Sequence, residues 1–432
     1  MSQPATPSAD VVGRGFRDGA RLFRRWFADL GQAAQAQGQA AYVFVIGSMN
    51  EILMSFDLPI VFPEVNALQT AIRGVSGDYL NEAEDYGYSP DVCGYVKADV
   101  ALQLRGGDHP MGTIPKPTIA IASNGCNTYI KWAEIWERFY QIPVFTFDIP
   151  GTRAAGTQSQ PGDEDFAYEQ RYVAGQLREL IALCQEVTGQ KFDIDRFRQH
   201  LGHANLLSQA YKQVLELNRS RPAVFNALTD GTVYLGVANS FRGSAEGAAY
   251  FQDLLEELRY KVDQGLGATG TSADEHYRLA LIGAPCYPIF RRFNDLFQNR
   301  GGVFVASTYT WYAAGGAPIG FEYDLADPLE SYAQGVLLMG RQAMDSMFHR
   351  AMDIETRAGE FALDGIVYHP IKSCRTVSTG LADRRHFAAE HLGLSTLYME
   401  SDLMDPRVVS EAQMRTRVDA FFEGLEQRRR AG

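Results

Sequence analysis

No stretch of this sequence approaches the roughly 20 uninterrupted apolar residues that a membrane-spanning helix needs. The first 15 residues, MSQPATPSADVVGRG, are polar and lack the hydrophobic segment of a secretory signal. Basic charge is in short supply. Forty Lys and Arg face 52 Asp and Glu, a formal net charge of −12. That balance argues against a nucleic-acid partner, which calls for a basic stripe. The phosphate-cradling motif GxxxxGKS/T is missing, so this chain is not expected to hydrolyse nucleotide through a P-loop. Cysteines number five, an odd count spread over 432 residues with no CxxC pair. Such usage does not read as a disulfide framework. The cytoplasm, where thiols stay reduced, is the expected compartment.

What is present fits a globular protein of two or three domains, with 46% apolar and 21% charged residues. Residues 16–37 place Phe16, Leu22, Phe23, Trp26, Phe27 and Leu30 on one helical face. Short apolar runs rich in β-branched and aromatic residues follow at 41–48, 118–123, 143–149, 277–284, 302–308, 364–369 and 396–401. Continuous runs of this kind fit strands of a buried parallel sheet. Helical patterns such as NTYIKWAEIWERFY and ADRRHFAAEHLG separate them, whereas residues 160–270 are helical almost throughout. Alternating elements imply α/β architecture. The expected fold is therefore two Rossmann-like, doubly wound parallel-sheet domains with a helical insert and N-terminal helices. The expected boundaries are a tail and helix at 1–38, a first α/β domain at 39–160, the insert at 161–272 and a second α/β domain at 273–432. The two α/β parts echo each other. Strand, Cys126, helix and IPVFTFDIP match strand, Cys374, helix and LSTLYMESDLMDP, with Asp148 and Asp402 each followed by a proline. Duplication is one reading of this echo, and the ordinary likeness of βαβ units is the other.

Three cysteines sit where a metal cluster would want them. Cys126 in SNGCNTYIKW and Cys374 in IKSCRTVSTG each follow a strand, where ligands bind in open α/β sheets. Cys93, in SPDVCGYVKAD, lies in a glycine-bearing loop with Asp91, Lys97 and Asp99 nearby. Three thiolates converging at strand ends would suit an iron–sulfur cluster and a redox enzyme. The gaps of 32 and 247 residues between them exclude a ferredoxin-type run, so tertiary folding must assemble the site. The ordinary alternative for each is a buried, unreactive thiol. Cys184 falls at helical core spacing, and Cys286, after another strand, is a spare ligand. His369 ends a strand five residues before Cys374 and is placed to face the same site. In GSMNEILMSFD, Asn50 and Glu51 open a helix, as caps or as binders of a polar substrate group.

These segments, with GSMNEILMSFDLPIVFPEVNALQ and the terminal ESDLMDPR, resemble the benzoyl-CoA reductase/2-hydroxyglutaryl-CoA dehydratase family from about residue 40 onward. The resemblance is strongest to the reductase branch. It implies a [4Fe-4S] cluster held by Cys93, Cys126 and Cys374. It also implies a homologous catalytic subunit with a second cluster, separate ATP-hydrolysing electron-activating subunits, and ferredoxin as the upstream donor. The activity implied is reduction of an aromatic acyl-CoA, benzoyl-CoA or a close analogue, to a cyclic dienoyl-CoA. The alternative is the family's (R)-2-hydroxyacyl-CoA dehydratase chemistry, a radical lyase. His369, Lys372 and Tyr95 are the expected proton-donating or positioning groups near the cluster.

Overall fold

The computed structural model describes residues 12–151, 159–268, 275–312, 314–344 and 353–431. Its strands are β1 (Ala41–Val43), β2 (Ile60–Val61), β3 (Asp108–His109), β4 (Gly112–Thr113), β5 (Ile119–Ser123) and β6 (Val144–Phe147) in the first half. The second half holds β7 (Tyr277–Gly283), β8 (Gly302–Ser307), β9 (Gly365–His369) and β10 (Ser395–Tyr398). Two four-stranded sheets form, ordered β2-β1-β5-β6 and β10-β9-β7-β8, while β3 and β4 make a separate small hairpin. Every pairing in the two large sheets is parallel. Strands β5, β8 and β9 are buried along their whole length, which is why they read as unbroken apolar runs. The α/β expectation holds, and all seven runs contain strands. Only β2 and the hairpin, of two residues per strand, lacked a signal.

Numbered from its own first strand, each sheet has the order 2-1-3-4. Cys126 follows the third strand of one sheet and Cys374 the third strand of the other. The parallel extends to the acids after the fourth strands. Asp148 accepts a hydrogen bond from Asn124 Nδ2 at 3.0 Å, and Asp402 accepts one from the Ser373 N–H at 2.9 Å. In each half a strand-end carboxylate therefore ties down a cysteine loop.

Between the sheets run the helices Glu164–Thr188, Ile194–Leu217, Thr229–Ser240 and Ala245–Asp263, with the N-terminal helix Arg14–Gln35 packed on them. One apolar core runs through both sheets and these helices. Glu51 and Arg242 are sealed within it as an ion pair at 2.8 Å, and Tyr332 donates to the same carboxylate. Asn50 Nδ2 donates to the Asn239 carbonyl. Both residues of the first strand's loop thus serve as struts to the helical insert rather than as caps.

The helix Gly94–Leu104 links the halves. Its Asp99 carboxylate accepts both indole N–H groups of Trp132 and Trp136, each at 2.7 Å, from the helix that follows Cys126. Its first residue, Gly94, donates to Ser373 Oγ at 3.3 Å, in the Cys374 loop. A Cβ on Gly94 would stand 2.6 Å from Met404 Cβ, so only glycine permits this contact. Asp99→Ala leaves two buried indole donors unpaired, which costs on the order of 3 kcal/mol. A urea denaturation series on this variant should show the loss, and an unchanged midpoint would contradict the bridging role.

Candidate functional site

Three cysteines from distant parts of the chain meet where the two sheets' strand ends face each other. Cys93 caps the helix Gly94–Leu104, and Cys374 caps the short helix Arg375–Ser378. Cys93 is therefore at a helix start rather than in an open loop. Neither thiol closes a capping hydrogen bond of regular geometry, although the first-turn N–H groups of Tyr95 and Val96 lie beside Cys93 and those of Thr376 and Val377 beside Cys374. The helix after Cys126 begins only at Tyr129, so Cys126 lacks such a cap; its Sγ lies 3.4 Å from Thr376 Oγ1 instead. Burial pushes the Cys93 thiol up, and the Cys374 and Cys126 sulfurs push it further. Burial and then Cys126 push Cys374 up to about 11. The three sulfurs thus feel one another directly. Among the described residues, no group of three His, Cys, Asp or Glu converges in the manner of a single-ion site.

Behind the thiols lies a mostly apolar cavity of about 410 Å³. Its lining includes Phe23, Leu68, Tyr287, Phe290 and Tyr309 and, among the described residues, a single carboxylate, Glu64. Two chains of contact join cavity to thiols. Tyr309 Oη lies 3.2 Å from Tyr95 Oη, two residues after Cys93. Glu64 Oε1 accepts from Tyr129 Oη at 2.6 Å, and Tyr129 is close enough to Cys126 to be shifted by it. The other oxygen of Glu64 accepts the Val45 N–H at 2.7 Å. Burial outweighs both bonds and raises Glu64 to about 7. Burial likewise pushes Tyr95, Tyr287 and Tyr309 up, keeping the phenols protonated. The Tyr287 hydroxyl is buried and lacks a hydrogen bond of regular geometry. A dry pocket with protonated groups can hold a neutral, flat acyl group and keep protons beside it.

Known sequences place this arrangement. The family described as 2-hydroxyglutaryl-CoA dehydratase, D-component, matches residues 47–425. The chain belongs to this family. It is 34% identical to a subunit of the benzoyl-CoA reductase of Thauera aromatica over 89% of this chain and 88% of that protein. It is 27% identical to the (R)-2-hydroxyisocaproyl-CoA dehydratase alpha subunit of Clostridioides difficile over 88% of each chain. It is 23% identical to the lactoyl-CoA dehydratase alpha subunit of Anaerotignum propionicum over 91% and 92%. The resemblance read from the motifs is therefore borne out at the level of family.

Within this 2-hydroxyglutaryl-CoA dehydratase-type fold the other expected residues separate. Tyr95 lies between the cavity and Cys93. His369 does not reach either. It is fully buried; its Nδ1–H donates to the Ala284 carbonyl at 2.6 Å, and its Nε2 accepts from Ser401 Oγ at 2.6 Å. Burial lowers it to about 4, so at neutral pH the ring is uncharged and its one N–H proton is engaged by the Ala284 carbonyl. The expectation that it faces the site is corrected: a histidine on a buried strand end satisfied itself inside the fold. Lys372 is exposed and lines a small separate pocket with Asp402 and Asp405 rather than the cavity. Cys286 is buried beside Ser401 and Asp402, and Cys184 in the helical core. Sequence reasoning missed Glu64, Tyr129, Tyr287 and Tyr309. The one available signal was an acid directly after the apolar run LPIVFP.

Glu64 carries a pH signature. Its folded value lies above the ordinary 4.5, so the stability this confers is full below about pH 4.5 and lost as pH rises through about 7. The loss is on the order of 3 kcal/mol. Glu64→Gln should flatten this dependence in denaturation midpoints measured across that range, and an unaltered slope would refute the assignment.

Across the described residues no helix is long and apolar enough to cross a membrane.

Proposed function

We propose that this chain is the iron–sulfur catalytic subunit of an ATP-dependent aromatic-ring reductase that acts on benzoyl-CoA or a close analogue. The observation that carries the reading is the thiol trio set against an aromatic-walled cavity with Glu64 between them. Cys93, Cys126 and Cys374 are the residues that would hold a [4Fe-4S] cluster. The fit rests on the donor set: three soft sulfurs, two of them at helix N-caps, and a hydroxyl beside the third. Three cysteines leave one iron corner without a protein thiolate from this set. When bound, the cluster supplies low-potential electrons.

The chain's own side chains supply the rest. Phe23, Phe290, Tyr287 and Tyr309 exclude water and confine a planar ring. Glu64, raised to about 7, keeps a proton available near neutral pH, and Tyr129 holds that carboxyl toward the thiol side. Tyr95 and Tyr309 fix the spacing between cavity and Cys93. A homologous second subunit, ATP-hydrolysing electron-activating subunits and a ferredoxin donor complete the proposed assembly. Both the reductase relative and the dehydratase relative are themselves subunits, which fits a multi-chain enzyme.

Anoxic assay of the assembled complex tests the reaction. Diene formation with stoichiometric consumption of electrons is expected. A 2-enoyl-CoA product with only catalytic reductant would replace this reading with the (R)-2-hydroxyacyl-CoA dehydratase. Serine at Cys93, Cys126 or Cys374 should remove most iron and acid-labile sulfide and at least about 10²-fold of activity, as expected for lost metal ligation. Full iron content in all three variants would overturn the ligand assignment.

A further inference from the structure

We infer that Arg24, Arg73 and Arg291 form an anchor for the phosphate-bearing nucleotide end of an acyl thioester whose acyl group enters the cavity. The inference rests on the thioester reading above and assigns the charged end of that substrate to this chain.

All three arginines line the same cavity, and all three are exposed, which puts them at its mouth. They come from separate elements: the N-terminal helix Arg14–Gln35, the C-cap of the helix Pro63–Ile72, and the helix Phe290–Gln298. Among the described residues none of the three guanidinium groups has an ion pair or hydrogen bond. Their neighbours do. Arg25, beside Arg24, pairs with Glu246, and Arg292, beside Arg291, pairs with Glu411. A chain with net charge −12 has carboxylates to spare, yet among the described residues the only one lining this cavity is buried Glu64. Positive charge at the mouth is therefore uncompensated.

The apolar part of the site is incomplete in the same place. Phe16 and Ile72 line the cavity and remain 39% and 38% exposed, and the buried Tyr287 hydroxyl farther in still lacks a regular partner. A ligand with a flat neutral head, a slender arm and a polyanionic tail would cover all of these at once. Guanidinium groups suit the tail because their planar N–H forks match phosphate oxygens.

Calorimetric titration of the complete anoxic enzyme complex tests this with two probes, benzoyl-CoA and benzoyl-pantetheine, the second lacking every phosphate. Arg24→Gln, Arg73→Gln and Arg291→Gln should each weaken benzoyl-CoA binding about fivefold to tenfold and leave benzoyl-pantetheine unchanged. Added salt should shrink the difference. Arg171→Gln, exposed but away from the cavity, should bind both probes as the wild type does. Wild-type affinity for benzoyl-CoA in the triple variant would overturn the anchor while leaving the thioester reading intact. Equal weakening of both probes would also overturn it, as a sign of a distorted cavity. Failure of the wild type to bind either probe would sink both readings.

Discussion

The docking of one short helix holds the rest of the site together. Gly94–Leu104 carries Cys93 at its start, seats Asp99 between the indoles of the helix after Cys126, and presses Gly94 against Met404 and the Cys374 loop. Each contact is demanding in a different way. Asp99 is buried, and burial raises it to about 6, so its three hydrogen bonds from Trp132, Trp136 and Gln103 must offset the loss of water. Gly94 tolerates no side chain at all. A helix constrained in this way at its start and its middle is held in place, and that place delivers a third sulfur to the two that follow strands.

Dryness governs the chemistry that follows. Low polarity around the thiols and the cavity drives the buried acids there toward their neutral forms: Cys93, Cys374 and the phenols of Tyr95, Tyr287 and Tyr309 keep their protons, and Glu64 holds its own to about pH 7. The same environment makes a cationic partner valuable to the sulfurs and leaves a proton ready at the carboxyl. Along the cavity's lining, among the described residues, the charges without an ion pair are the three arginines at its mouth. The interior is thus suited to an uncharged reacting group and the rim to a charged handle.

Much of the frame is legible in the sequence. Buried parallel strands need apolar side chains on both faces, so seven of the eight strands in the two large sheets announced themselves as continuous runs. Strand β2, only Ile60–Val61, is too short to produce a period. The echo between the Cys126 and Cys374 segments reappears as two sheets of the same 2-1-3-4 order, with Asp148 and Asp402 in matching places. His369 misled because its position after a strand looks the same whether its ring faces a pocket or the core. Only its two partners, Ala284 and Ser401, distinguish the cases.

The sequence alone determined the fold class, the kinship and the three cysteine segments, because these depend on local pattern and on motifs that survive in linear order. Tertiary structure decided which groups meet. The Cys93 thiol feels the Cys374 sulfur across 281 residues of chain, Glu64 meets Tyr129 across 65, and Arg24 shares a rim with Arg291 across 267. No local period encodes such distances. They follow from how helices and strand-end loops pack in three dimensions, and a cavity exists only where that packing stops short of filling space.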